Sequence, residues 1–156
     1  MLGCAASAED SMSKSLYSGW TIGSVGVLLH GKRVMGSEAR VTHIFDSDYF
    51  IHPVIDASVT DQGGIWLGAG IYLENEWDMQ THKMFVGASF EPGAYFKGSE
   101  YDLGYPLEFR SGIEAGFKTP NGYRISVIYD HRSNAGISNL NPGVETLQLR
   151  IGKHFN

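Results

Sequence analysis

From position 107 to 118 the chain changes character at every step. Leu107, Phe109, Ser111, Ile113, Ala115 and Phe117 make a largely apolar row, and Glu108, Arg110, Gly112, Glu114, Gly116 and Lys118 make a polar one. A period of two puts the rows on opposite faces of a β-strand, because successive side chains of an extended backbone point to opposite sides. Ile65, Leu67, Ala69, Ile71 and Leu73 repeat the pattern against Trp66, Gly68, Gly70, Tyr72 and Glu74. Tyr123, Ile125, Val127 and Tyr129 do so against Arg124, Ser126, Ile128 and Asp130, and Leu147, Leu149 and Ile151 against Thr146, Gln148, Arg150 and Gly152.

Turn-forming residues cut the chain into eight such segments, near 16–30, 34–45, 49–60, 64–77, 82–92, 106–118, 121–133 and 144–155. No stretch approaches the ~20 apolar residues of a spanning helix, so the chain either stays out of a membrane or crosses it as strands. Most segments have the roughly 9–11 residues of a tilted transmembrane strand, and eight is a closing number for such strands. The expected fold is all-β, an eight-stranded antiparallel transmembrane β-barrel. Connections are expected to alternate: Gly31-Lys32-Arg33, Gln62-Gly63 and Pro120-Asn121-Gly122 are tight, whereas 93–105 and 134–143 are long, the second lying outside the cell.

Composition narrows this further. The 20 glycines and 12% aromatics suit a tightly curved sheet at a membrane interface. A soluble lipid-binding barrel would turn its charged rows outward and fill a cavity with its apolar ones; here the charged rows also carry the glycines, as a narrow ion-paired interior would. Trp20, Trp77, Tyr17, Tyr49, Tyr105 and Phe155 fall near strand ends, where aromatic girdles sit. The expected location is the Gram-negative outer membrane. A net charge of −5 with no run of Lys and Arg argues against nucleic acid as a partner.

One domain accounts for the length. Ala6-Ser7-Ala8, followed by Glu9-Asp10-Ser11, has the small-x-small form cut by signal peptidase. Residues 1–8 are therefore read as a signal-peptide remnant and 9–156 as the barrel, with a chance Ala-Ser-Ala in a polar tail as the competing reading. No charged or apolar region precedes the site, so the start is read as truncated or misassigned. Leu2-Gly3-Cys4 is a shorter match to a lipoprotein cleavage site, and Cys4, the single cysteine, has no partner for an internal disulfide.

The chemistry concentrates at the end of the seventh segment and the start of the eighth, in Asp130-His131-Arg132-Ser133-Asn134-Ala135-Gly136-Ile137 and Asn141-Pro142-Gly143-Val144-Glu145. A His-x-Ser-Asn-Ala-Gly-Ile followed by Pro-Gly-x-Glu resembles the signature of the lipid A 3-O-deacylases, the PagL family. The resemblance is strong over the last third of the chain and extends weakly through the eight-segment layout. It implies a serine ester hydrolase acting on lipid A, or lipopolysaccharide, with His131, Ser133 and Glu145 as the catalytic triad and Asn134 helping to form the oxyanion hole. The ending is a departure, because outer-membrane barrels commonly finish on an aromatic and here Asn156 follows Phe155.

The physics of the residues agrees with that resemblance. Positions 131 and 133 leave the same face of a strand with Cα atoms about 6–7 Å apart, and in a hairpin Glu145 lies across from His131 or Ser133. A serine hydroxyl becomes nucleophilic when an imidazole accepts its proton, and a carboxylate holds the imidazole tautomer. His131, Ser133 and Glu145 share odd parity with the apolar rows, so the triad is expected to face lipid. Asp130, Arg132 and Arg150 have inward parity and are read as interior ion pairs. His30, His43, His52, His82 and His154 share no spacing or face, so no metal site is expected. Asp46-Ser47-Asp48 lacks the Gly and Glu of a calcium loop and is read as a solvated turn. No cofactor is called for; besides lipid A, the partners are outer-membrane lipids, with a homodimer left open. The alternatives are a noncatalytic small outer-membrane barrel used for adhesion or membrane integrity, and the soluble lipid-binding barrel.

Overall fold

The structure, a computed structural model, describes residues 19–154. Strands β1 (Gly19–His30), β2 (Arg33–Phe45), β3 (Ile51–Thr60), β4 (Ile65–Met79), β5 (His82–Phe96), β6 (Leu107–Lys118), β7 (Tyr123–Ser133) and β8 (Val144–His154) follow one another round a closed barrel. Every neighbouring pair is antiparallel, and β8 closes on β1 from Trp20↔His154 to Leu29↔Glu145. Closure leaves no strand edge unpaired, which a lipid environment requires because it offers the backbone no substitute hydrogen bonds. The readings of Cys4, Ala6-Ser7-Ala8, Tyr17, the Trp20 side chain, Phe155 and Asn156 lie outside the described residues.

Parity holds as expected. Outward positions carry Val25, Ile113, Leu149 and Ile151, exposed by 66%, 66%, 59% and 56%, an apolar belt that water would penalise and acyl chains accept. The inward rows are buried and largely charged, which rules out the soluble alternative. Arg40 pairs with Asp56, with Glu91 at 3.1 Å and with Asp130 at 2.9 Å. Arg110 joins Glu38 at 2.6 Å and Asp130 at 3.5 Å, while Glu114 receives Arg150 at 3.0 Å and Arg124 at 3.2 Å. This lattice fills the lumen, so the barrel has a solid core in place of a channel. The inward glycines have a steric reason: a Cβ on Gly68 would stand 2.0 Å from the Trp66 ring, and one on Gly87 would stand 1.9 Å from the Tyr72 hydroxyl.

The expected alternation of loop lengths needs correction. Connections 31–32, 61–64, 97–106 and 134–143 share one rim, and 46–50, 80–81 and 119–122 the other. Two of the tight turns therefore sit beside the two long loops. The β5–β6 and β7–β8 loops are tied to each other through Asn134, whose Nδ2 donates to the Leu103 and Leu140 carbonyls. That rim is the extracellular one by the length rule for outer-membrane barrels.

Candidate active site

β7 and β8 run side by side to the outer rim with Tyr129↔Leu147, His131↔Glu145 and finally Arg132↔Val144 in register. Directly opposed residues have close Cβ atoms, and His131 Nδ1 stands 3.3 Å from Glu145 Oε1. Both side chains reach the outer surface, His131 by 46% and Glu145 by 25%. Ser133, the last residue of β7, is half-buried on the same face, with Phe109 of β6 as its cross-strand partner. Among the described residues no hydrogen bond joins Ser133 to His131. Because Nδ1 is turned to Glu145, Nε2 is the nitrogen available to a serine proton. Arg132, between the two, points inward as parity expects, 1% exposed and 3.5 Å from Glu38.

Asn134 begins the loop and is fully buried. Its Nδ2 donates to the carbonyls of Leu103 and Leu140, each at 2.8 Å, and its Oδ1 accepts the Gly136 N–H at 3.0 Å. The side chain thus ties the β7–β8 loop to the β5–β6 loop, and both of its amide hydrogens are in use. Its backbone N–H goes to Oδ1 of Asn141 at 3.0 Å, which orients that exposed amide at the far side of the loop. The two loops touch again at Gly104 (φ 93°), where a Cβ would be 1.8 Å from the Leu140 carbonyl oxygen.

Gly143 has a role that its place in the Pro-Gly-x-Glu run did not spell out. It stands at φ 66°, and a Cβ there would lie 2.7 Å from Cε1 of His131. A Gly143→Ala chain therefore meets both left-handed backbone strain and a direct clash with the imidazole. We expect at least a tenfold fall in turnover from misplacement of the base, with the barrel still resistant to heat in detergent; wild-type turnover would show that the ring does not need this space.

The remaining histidines are dispersed. His154 Nε2 meets Asp46 at 2.9 Å, His52 Nδ1 lies 3.2 Å from the Phe45 carbonyl, and His82 is 2.7 Å from the Thr81 hydroxyl. Among the described residues no three His, Cys, Asp or Glu side chains gather as metal ligands would. His30 is the exception in position: it reaches the rim beside Gly143, where the sequence offered no signal for it.

A closed eight-strand barrel with an apolar belt, an ion-paired lumen and a His–Glu pair plus a serine on its lipid-facing rim is an outer-membrane barrel built around surface chemistry. The family model described as lipid A 3-O-deacylase (PagL) matches residues 42–154, and the chain belongs to that family. The lipid A deacylase PagL of Bordetella bronchiseptica is 27% identical over 93 residues, 60% of this chain and 52% of that relative. The chain thus spans about half the length of the curated relative it matches. The crystal structure of the outer membrane enzyme PagL superposes with a TM-score of 0.74 at 22% identity, over 86% of this chain and 98% of that one. Neisserial surface protein A shares the fold with a TM-score of 0.58 at 11% identity, over 90% and 98% of the two chains.

Proposed function

We propose that the protein is a lipid A 3-O-deacylase, a serine ester hydrolase that removes the 3-position acyl chain of lipid A in the outer leaflet. The observation that carries this reading is the His131–Glu145 contact on the lipid-facing side of the rim, with Ser133 on the same face, in a chain of the family so described. Lipid A lies in the leaflet that this rim faces. A triad opening outward meets its ester sideways from the membrane, whereas an inward triad would serve a soluble substrate.

In the reaction, Ser133 Oγ attacks the ester carbonyl as His131 Nε2 takes its proton, and Glu145 stabilises the imidazolium. The tetrahedral intermediate collapses to an acyl-enzyme, and His131 returns the proton to the departing sugar hydroxyl. Water, deprotonated by His131, then releases a 3-hydroxy fatty acid and restores Ser133. Asn134 serves the oxyanion by ordering the turn that follows the nucleophile. With its own amide hydrogens committed, the donors left are the Ala135 N–H, at φ 53°, and the NH₂ of Asn141. All triad residues come from one chain, so a homodimer is not needed to complete the site.

Mass spectrometry of lipid A from cells with and without the protein tests the reading. Loss of one 3-hydroxyacyl chain is expected; unchanged lipid A in the presence of folded barrel would return the protein to the noncatalytic class. Within the triad, Glu145→Ala should cost roughly ten- to a hundredfold less than His131→Ala, since the carboxylate orients and the imidazole transfers the protons. Equal, small losses in both would remove the triad.

A further inference from the structure

Both ladders around the active site stop before Gly143. The β1–β8 ladder ends at Leu29↔Glu145 and the β7–β8 ladder at Arg132↔Val144, so the chain enters β8 through a glycine that neither neighbour pairs. Glycine is the residue with most conformational freedom to lose. At this point a side chain takes over: His30 Nδ1 lies 3.1 Å from the Gly143 carbonyl oxygen. A carbonyl only accepts, so Nδ1 carries the proton and donates. His30 is braced in turn by the Tyr101 ring, 5.3 Å away at 38°, and both line a small cavity with Leu28, Met35, Leu103 and Val144.

On its other side Gly143 bounds the catalytic ring. The position of its missing Cβ is 2.7 Å from His131 Cε1 and 3.3 Å from Nε2. Nδ1 of His131 is engaged by Glu145, so the edge resting on Gly143 is the one that exchanges the proton with Ser133. We infer that His30 is a positioning residue for the reaction: by holding the Gly143 carbonyl it fixes the wall against which the His131 imidazole sits. The inference rests on the triad reading above.

The test uses the full chain in detergent micelles with purified lipid A, comparing wild type, His30→Ala and His30→Asn. His30→Ala lowers kcat about ten- to a hundredfold, the scale of a misplaced catalytic group, and leaves KM unchanged. His30→Asn restores most of the rate, because its amide NH₂ stands near the place of the Nδ1–H. The imidazole resonances of His131, followed by nitrogen-edited NMR, shift and broaden in His30→Ala and return in His30→Asn. Gel mobility with and without boiling stays that of the wild type in both variants. A wild-type kcat in His30→Ala overturns the inference, as does a loss that His30→Asn shares in full or one that tracks a smaller folded fraction. If wild-type protein leaves lipid A intact, the proposed reaction fails, while the His131 resonances still decide whether His30 holds that ring.

Discussion

Replacing Ser133 by alanine is expected to bring lipid A deacylation to background, a fall on the order of 10⁴- to 10⁶-fold, with the barrel fully assembled. The hydroxyl has no hydrogen bond to His131 in this structure and lies outside the interior lattice, so its removal takes away the nucleophile and little else. Without it the His131–Glu145 pair has no hydroxyl nucleophile to activate, and no acyl-enzyme can form. The measurement is lipid A mass spectrometry per folded barrel, the folded fraction being read from gel mobility without boiling. Deacylation at the wild-type rate by Ser133→Ala would end the serine mechanism, and a loss accompanied by unfolding would assign Ser133 a structural task.

The second large effect falls on stability. Arg40 is 2% exposed and is shared by Asp56, Glu91 and Asp130, which come from β3, β5 and β7. Its removal leaves three buried carboxylates around an empty place, and loss of one partner from a buried ion pair costs about 3–5 kcal/mol. Arg40→Ala should therefore unfold in detergent at a clearly lower temperature than the wild type. Molecules that remain folded should deacylate normally, since the proposed triad lies on the opposite face of the wall near the rim. Unchanged heat resistance would mean that the lattice is dispensable. Lost activity at unchanged stability would mean that the inner and outer faces are wrongly assigned.

The two predictions separate because parity separates the residues, and parity was legible before any coordinates. A slip of one residue in a strand moves every side chain to the other face, so His131, Ser133 and Glu145 could share the apolar face only if Asp130, Arg132 and Arg150 shared the inner one. The register of the last hairpin was less legible. The spacing allowed Glu145 to oppose either His131 or Ser133; the ladder ending at Arg132↔Val144 opposes it to His131. Asn134 shows a different limit. The motif tied it to the oxyanion, whereas burial under a folded loop commits its amide hydrogens to two carbonyls, because a buried donor left unpaired is costly.

By itself, then, the sequence determined the number of strands and the face each residue takes, and it singled out the cluster to which the proposed chemistry is assigned. The faces follow from a local rule, since alternation along an extended backbone needs no knowledge of what lies across the sheet; the cluster rests on the motif's resemblance to the PagL family. Tertiary structure decided which outer-rim groups meet. Barrel closure brings His30 to Gly143, 113 residues away in the chain, and loop packing brings Leu103 to Asn134, 31 away. Neither pairing leaves a periodic trace, since each depends on how the strands stagger as the sheet closes. The same closure places Asp56 and Asp130 against Arg40. Composition announced buried charges, but only the shape of the lumen could choose their partners.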